Sequence, residues 1–184
     1  MHPASTSTTD QPPHAAALAC FNALLSASRS ATATLTTWMA ERSGRDSVSL
    51  TARPTRHGST VVPSPAMIAH LEVNAPEDII CRRVRLMDGR RILSDALNFY
   101  VPARLSESMQ TLLRESDIPF GTIIAPLSPR RDTLLIERYW PMGDAPIERQ
   151  RLPTRLLRHD AIVRDASGVP LSLVSEFYTR NILL

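Results

Sequence analysis

The chain has 184 residues, enough for one domain with a substantial hydrophobic core. Its composition, 43% hydrophobic against 21% charged, is that of an ordinary globular protein, and no run of about 18 apolar residues offers a membrane span. The net charge of +3 arises without a single lysine; the arginines are scattered, aromatic residues are few, and no nucleic-acid motif groups them, which argues against a nucleic-acid partner.

Residues 1–13 hold few large apolar groups and cannot offset the entropy of ordering, so a tail is expected there, followed by one domain over residues 14–184. This start lacks the basic, apolar, small-residue order of a secretory signal, and a cytoplasmic protein is the expectation. Leu18, Phe21 and Leu25 recur at helical spacing and predict an amphipathic helix over Ala15–Ala27. A second helix over Ala33–Arg42 should stop at Ser43-Gly44. Cys20 and Cys81 lie far apart in apolar contexts, which fits buried reduced thiols.

The period then changes. Ser47–Ala52 alternates, and Ile79–Met87, Arg91–Val101, Thr133–Trp140, His159–Arg164 and Leu171–Tyr178 read as strands. Asp88-Gly89 is a hairpin signal and Ser167-Gly168-Val169-Pro170 a second turn, so the sheet is expected to be antiparallel. Pro102 should open a helix over Leu105–Arg114, and Phe120-Gly121 a short apolar segment through Ile124. No βαβ alternation suggests a nucleotide fold. The expected class is α+β, an antiparallel β-sheet flanked by helices.

Alternation also gives direction. Arg82 shares a face with Val84 and Leu86, and is either an inward arginine requiring a carboxylate from the protein or from a ligand, or a strand-end arginine whose stem covers apolar surface while its head stays wet. In the last strand Val174, Glu176 and Tyr178 share one face while Leu171, Leu173 and Phe177 share the other, as in a central strand covered on both sides. A glutamate there is either salt-bridged for structure or placed for proton chemistry. Arg138, between Ile136 and Trp140 on its face, is a further inward candidate, and Arg158 another at a strand start. His159 reads as a satisfied strand histidine. There is no Gly-x-Ser-x-Gly elbow, no phosphate-binding glycine loop and no metal-binding pair, so neither metal nor cofactor is expected.

Several segments taken in order carry a resemblance. Arg82-Arg83-Val84-Arg85-Leu86 with Asp88-Gly89, the return to Tyr100-Val101-Pro102, Ile118-Pro119-Phe120-Gly121-Thr122-Ile123-Ile124, and Ser167-Gly168-Val169-Pro170 through Glu176-Phe177 resemble the chorismate pyruvate-lyases over residues 35–180. The resemblance implies a chorismate lyase-like fold with an enclosed ligand pocket. It also implies cofactor-free conversion of chorismate to pyruvate and a hydroxybenzoate, the 4-hydroxy isomer in that family, on the way to aromatic products such as ubiquinone. By position, Arg82 would anchor a substrate carboxylate and Glu176 would act as general acid at the departing group. Thr37 and the Phe120-Gly121 segment would offer backbone N–H groups, with Arg138 and Arg158 available to a second carboxylate. The hairpin between Asp88 and Pro102 runs longer than the family pattern, and Arg90-Arg91 follow the turn where a proline is common.

The same arginine strand, Asp-Gly turn and strand ending at proline recur in UTRA-type effector-binding domains of transcription regulators. The alternative is therefore a small-molecule sensor or a catalytically silent relative. Such regulators place a winged helix-turn-helix of about 70 residues ahead of the sensor, whereas residues 1–46 here offer a tail and helical pieces. Either reading makes a small carboxylate the partner. A monomer is expected if the N-terminal helices cover the outer face of the sheet, a dimer if that face stays bare.

Overall fold

The computed structural model describes residues 13–55, 61–141 and 151–184. The expected tail falls outside these residues except for Pro13, which opens helix α1 (Pro13–Ala27). Leu18, Phe21 and Leu25 of α1 are buried, as their spacing requires, whereas Cys20 lies on the outward side and is exposed. The expectation of two buried thiols therefore fails at Cys20, while half-buried Cys81 has its thiol pushed up by burial. Helix α2 (Ala31–Ser43) begins where the Ser30 side chain accepts from the Ala33 N–H at 3.2 Å. It ends at Gly44, whose φ of 63° is the left-handed conformation a glycine reaches without strain.

Strand β1 (Thr51–Pro54) is shorter and later than the alternation over residues 47–52 predicts. Val48 and Leu50 are buried, but ladder pairing starts only at Thr51 opposite Met87. Helix α3 (Pro65–Leu71) was not anticipated, although Ser64 caps it through the Met67 N–H at 3.3 Å and Pro65 occupies its first turn. Strands β2 (Ile80–Asp88) and β3 (Arg91–Tyr100) form the hairpin marked by Asp88-Gly89. Pro102 opens a single 3₁₀ turn, and helix α4 (Glu107–Glu115) starts after the Ser106 cap. One turn, α5 (Phe120–Ile123), leads to β4 (Arg130–Arg138), which begins three residues before the predicted Thr133. Strands β5 (Arg155–Arg164) and β6 (Pro170–Thr179) complete an α+β fold with one six-stranded antiparallel sheet, ordered β1-β2-β3-β6-β5-β4.

Helices occupy both faces, but unequally. On the face of Val174, Glu176 and Tyr178, helices α1 and α2 pack one end through Phe21, Leu25, Leu35 and Trp38, while Ile123 and Ile124 pack the other. On the opposite face α3 covers Phe99, Ile162 and Leu173 through Leu71. Among the described residues no helix is long and apolar enough to cross a membrane.

Candidate functional site

Between the two helical ends of the inner face lies a cavity of about 70 Å³. Its floor is built by register. Arg82 of β2 stands opposite Asn98 of β3, Asn98 opposite Val174 of β6, and Ala96 opposite Glu176. Arg131 enters from β4, and Phe120 and Gly121 of α5 form part of the wall with the start of α2. Wall and helix meet closely at one point: a Cβ added to Gly121 would stand 2.7 Å from Thr32 Oγ1, so only glycine lets α5 seat against α2.

The charged groups fall into a paired set and an unpaired one. Arg131 Nη2 donates to Glu176 Oε2 at 3.0 Å, with side chains 2% and 8% exposed, and its Nη1 donates to Thr133 Oγ1 at 2.9 Å. The Tyr178 hydroxyl donates to the same Glu176 oxygen at 2.9 Å. Burial, and then the Glu176 carboxylate, push that phenol well above its usual value, so the hydroxyl keeps its proton. Arg82 has no such partner: its Nη2 is shielded from solvent and bonds to nothing among the described residues, and Asn98 Oδ1 is in the same condition. Burial lowers the pKa of Arg82, opposed by Tyr100 and Asp117, but a guanidinium stays charged in a protein. With Arg131 and Glu176 paired, the other charged residues of the lining are Arg29 and Arg82, both positive, so the cavity attracts an anion.

Beneath this network His159 is fully buried, opposite Glu176 across the ladder. Its Nε2 lies 2.8 Å from Asn22 Oδ1 and donates to that acceptor, linking α1 to β5, while Nδ1 has no partner among the described residues. Burial first and Arg131 second push its pKa down to about 4, against the pull of Asp160, so the ring is neutral. It is a strand histidine as its sequence reading has it, but satisfied at Nε2 only.

Of the residues singled out from sequence, Arg82, Glu176, Phe120 and Gly121 line the cavity. As the first residues of a helical turn, Phe120 and Gly121 have no preceding carbonyl within the helix for their N–H groups. The remaining three lie elsewhere. Thr37 is exposed and lines an outer cleft that shares Thr32 and Gly121 with the cavity. Arg138 is exposed at the far end of β4, because β4 is an edge strand with a register shift between Thr133 and Leu135, so alternation around Trp140 does not point it inward. Arg158 stands opposite Phe177, on the face turned away from Glu176, and donates to Asp160 at 2.8 and 2.7 Å.

Arg131 and Asn98 were missed. The strand predicted to begin at Thr133 left Arg131 in a loop, and the signal that could have found it is the run Arg130-Arg131-Asp132-Thr133 after Pro129. Asn98 is a polar interruption between Ala96 and Tyr100 on one face of β3, within the otherwise apolar run Ala96–Tyr100. Among the described residues no group of three or more His, Cys, Asp or Glu is placed to hold a metal.

No protein-family model matches the chain. The effector domain of PhnF from Mycobacterium smegmatis is similar in structure, with a TM-score of 0.52, 13% identity, and coverage of 80% of this chain and 90% of that one. A second PhnF structure from the same organism gives a TM-score of 0.52 at 11% identity, over 77% of this chain and 62% of that one. At such identities the likeness shows the fold alone, an α+β architecture with an antiparallel sheet and helices. In sequence the chain is 38% identical over 124 residues to the uncharacterized protein y4mC of Sinorhizobium fredii, a match that takes in 61% of this chain and about half, 52%, of that protein.

Proposed function

We propose that this chain is a small-molecule binding domain whose cavity takes an organic carboxylate on Arg82. The observation that carries the reading is the Arg82 guanidinium, which lines the cavity with a solvent-shielded Nη2 and no carboxylate from the described protein to meet it. Burying such a group without a partner is costly, and a bidentate carboxylate supplies both the charge and the acceptors. The likeness of fold to the effector domain of PhnF supports binding as the task. Glu176 holds Arg131 and Tyr178 in place and thereby shapes the floor beside the anion.

Glu176 also favours a second reading. It lines the same cavity as Arg82, the pairing that the resemblance to chorismate pyruvate-lyases requires. In that reaction the ring C–O bond breaks, the ring loses a proton as it aromatises, and the departing enolpyruvate takes up a proton to leave as pyruvate. The protein would orient the substrate and manage the proton. Binding ranks first because Glu176 Oε2 already accepts two hydrogen bonds, which commits that oxygen to holding the floor.

Calorimetric titration with benzoate, 4-hydroxybenzoate and neutral benzamide tests the binding reading. An acid should bind, benzamide should not, and Arg82→Gln should weaken the acid at least about tenfold. Equal binding of acid and amide, or no effect of Arg82→Gln, would overturn it. Incubation with chorismate decides the second reading: pyruvate and hydroxybenzoate in equal amounts, suppressed by Glu176→Gln, would establish a lyase.

A further inference from the structure

Resting on the reading of the cavity as a carboxylate site, we infer that Asn98 is its specificity residue, requiring a hydrogen-bond donor on the ligand besides the carboxylate held by Arg82. Asn98 is 3% exposed, and its Oδ1 is shielded from solvent without a partner among the described residues. A carboxamide in a central strand has no structural reason to stay unsatisfied, and buried polar groups are otherwise almost always paired. Its surroundings explain why no protein group reaches it. Ala96 and Tyr100 are its same-face neighbours along β3, Val174 stands opposite on β6, and on β2 its opposite number is Arg82. Of these, Arg82 and the Tyr100 hydroxyl carry donors, but neither bonds Asn98 Oδ1, and Arg82 Nη2 has no partner either. Besides Arg131 Nε, the cavity thus holds two unpaired, shielded atoms of complementary kind on adjacent strands, the cationic donor Arg82 Nη2 and the neutral acceptor Asn98 Oδ1.

One ligand satisfies both if it carries an anionic oxygen and, elsewhere on the same small frame, a hydroxyl or N–H. A plain acid leaves Asn98 Oδ1 desolvated and unpaired, and a site built to receive a donor discriminates strongly against an analogue that lacks one. An ether oxygen at the same place fails as well, because it only accepts. Asn98 therefore sets which acids bind, whereas Arg82 sets that acids bind.

The test uses the full chain and a panel of benzoate, the 2-, 3- and 4-hydroxybenzoates and their methoxy counterparts, each titrated calorimetrically. The best hydroxy isomer should bind at least about tenfold more tightly than both benzoate and its own methoxy ether. In Asn98→Leu, and in Asn98→Ala should the leucine variant fail to fold, that ratio should collapse to within about twofold. A wild-type protein that binds benzoate as well as every hydroxy isomer overturns the inference, as it would if an ordered water satisfied Asn98. So does a preference that survives in a folded Asn98 variant. If no acid binds in a manner that depends on Arg82, the carboxylate reading fails and takes this inference with it; Arg82-dependent binding without a hydroxyl preference sinks the inference alone.

Discussion

On the outer face of the sheet Arg83 meets Asp95 at 2.9 Å, Arg158 meets Asp160 at 2.7 Å, and Arg155 and Arg158 lie over the Phe177 ring at 4.5 and 5.3 Å. On the inner face Arg131 meets Glu176 at 3.0 Å. The chemistry of the two sets is the same, and their surroundings are opposite. The outer arginines keep 30–48% of their side chains in water and every carboxylate has a partner, so each contact is screened and replaceable. The inner pair is almost fully dry, and Arg82 on the same cavity is left without a hydrogen-bonded carboxylate among the described residues. Arg82 and Arg83 are consecutive residues of β2, and the pleat alone sends one to the inner cavity and the other to a solvated ion pair.

The largest effect that would sharpen this contrast comes from Glu176→Ala. It leaves Arg131 dry and unpaired, and should cost about 3–5 kcal/mol in urea unfolding. The outer analogue Asp160→Ala should cost no more than about 1 kcal/mol, because its partner Arg158 is rehydrated at once. Equal losses on the two faces would break the comparison.

Next comes pH. His159 is held neutral by burial, then by Arg131, with a folded pKa of about 4, and Asn22, Tyr178 and Asp160 are its other polar neighbours. Its unfolded value is about 6.5. The unfolded state therefore binds the proton first, and stability is fully present above about pH 7 and declines as pH falls from about 6.5 to 4. About 3 kcal/mol should be lost across that window, and His159→Gln should flatten this part of the melting-temperature profile.

Gly121→Ala should cost about 1–3 kcal/mol by forcing α5 from α2, with Thr32→Ala recovering much of the loss in a double-mutant cycle. No recovery would mean that the cavity wall is not set by this contact. The smallest and most discriminating effect belongs to the neighbouring arginines. Arg83→Met should lose less than about 1 kcal/mol, whereas Arg82→Met should lose nothing or gain slightly, since it removes an unsatisfied buried donor while abolishing acid binding.

Strand alternation made much of this legible. It placed Arg82 with Val84 and Leu86, and Glu176 with Val174 and Tyr178, on the faces where they are found. Asp88-Gly89, with Gly89 at φ 57°, located the hairpin because the turn needs a residue that tolerates positive φ. Alternation failed where a strand is irregular or lies at an edge. The register shift in β4 and its exposed Leu134, Leu135 and Ile136 broke the inference for Arg138, and its early start hid Arg131. Arg158 was misplaced for another reason: facing is a relation between strands, and its partner Phe177 could be named only once the register was known. Asn98 gains its meaning from Arg82 and Val174 on the flanking strands, and Arg131 from Glu176, 45 residues away, which no local pattern reports.

The position of β6 has a consequence for the order in which this molecule comes together. It lies between β3 and β5, so β1-β2-β3 on one side and β4-β5 on the other touch in the sheet only through the last strand. Until β6 docks, Arg82 and Asn98 belong to one fragment and Arg131 to another, and Glu176 is absent from both. Such long-range closure is slow, because the loop entropy is spent before the contacts form. Because β6 pairs locally with β5, the long-range step is the β3–β6 closure, and the cavity is complete only once it has formed.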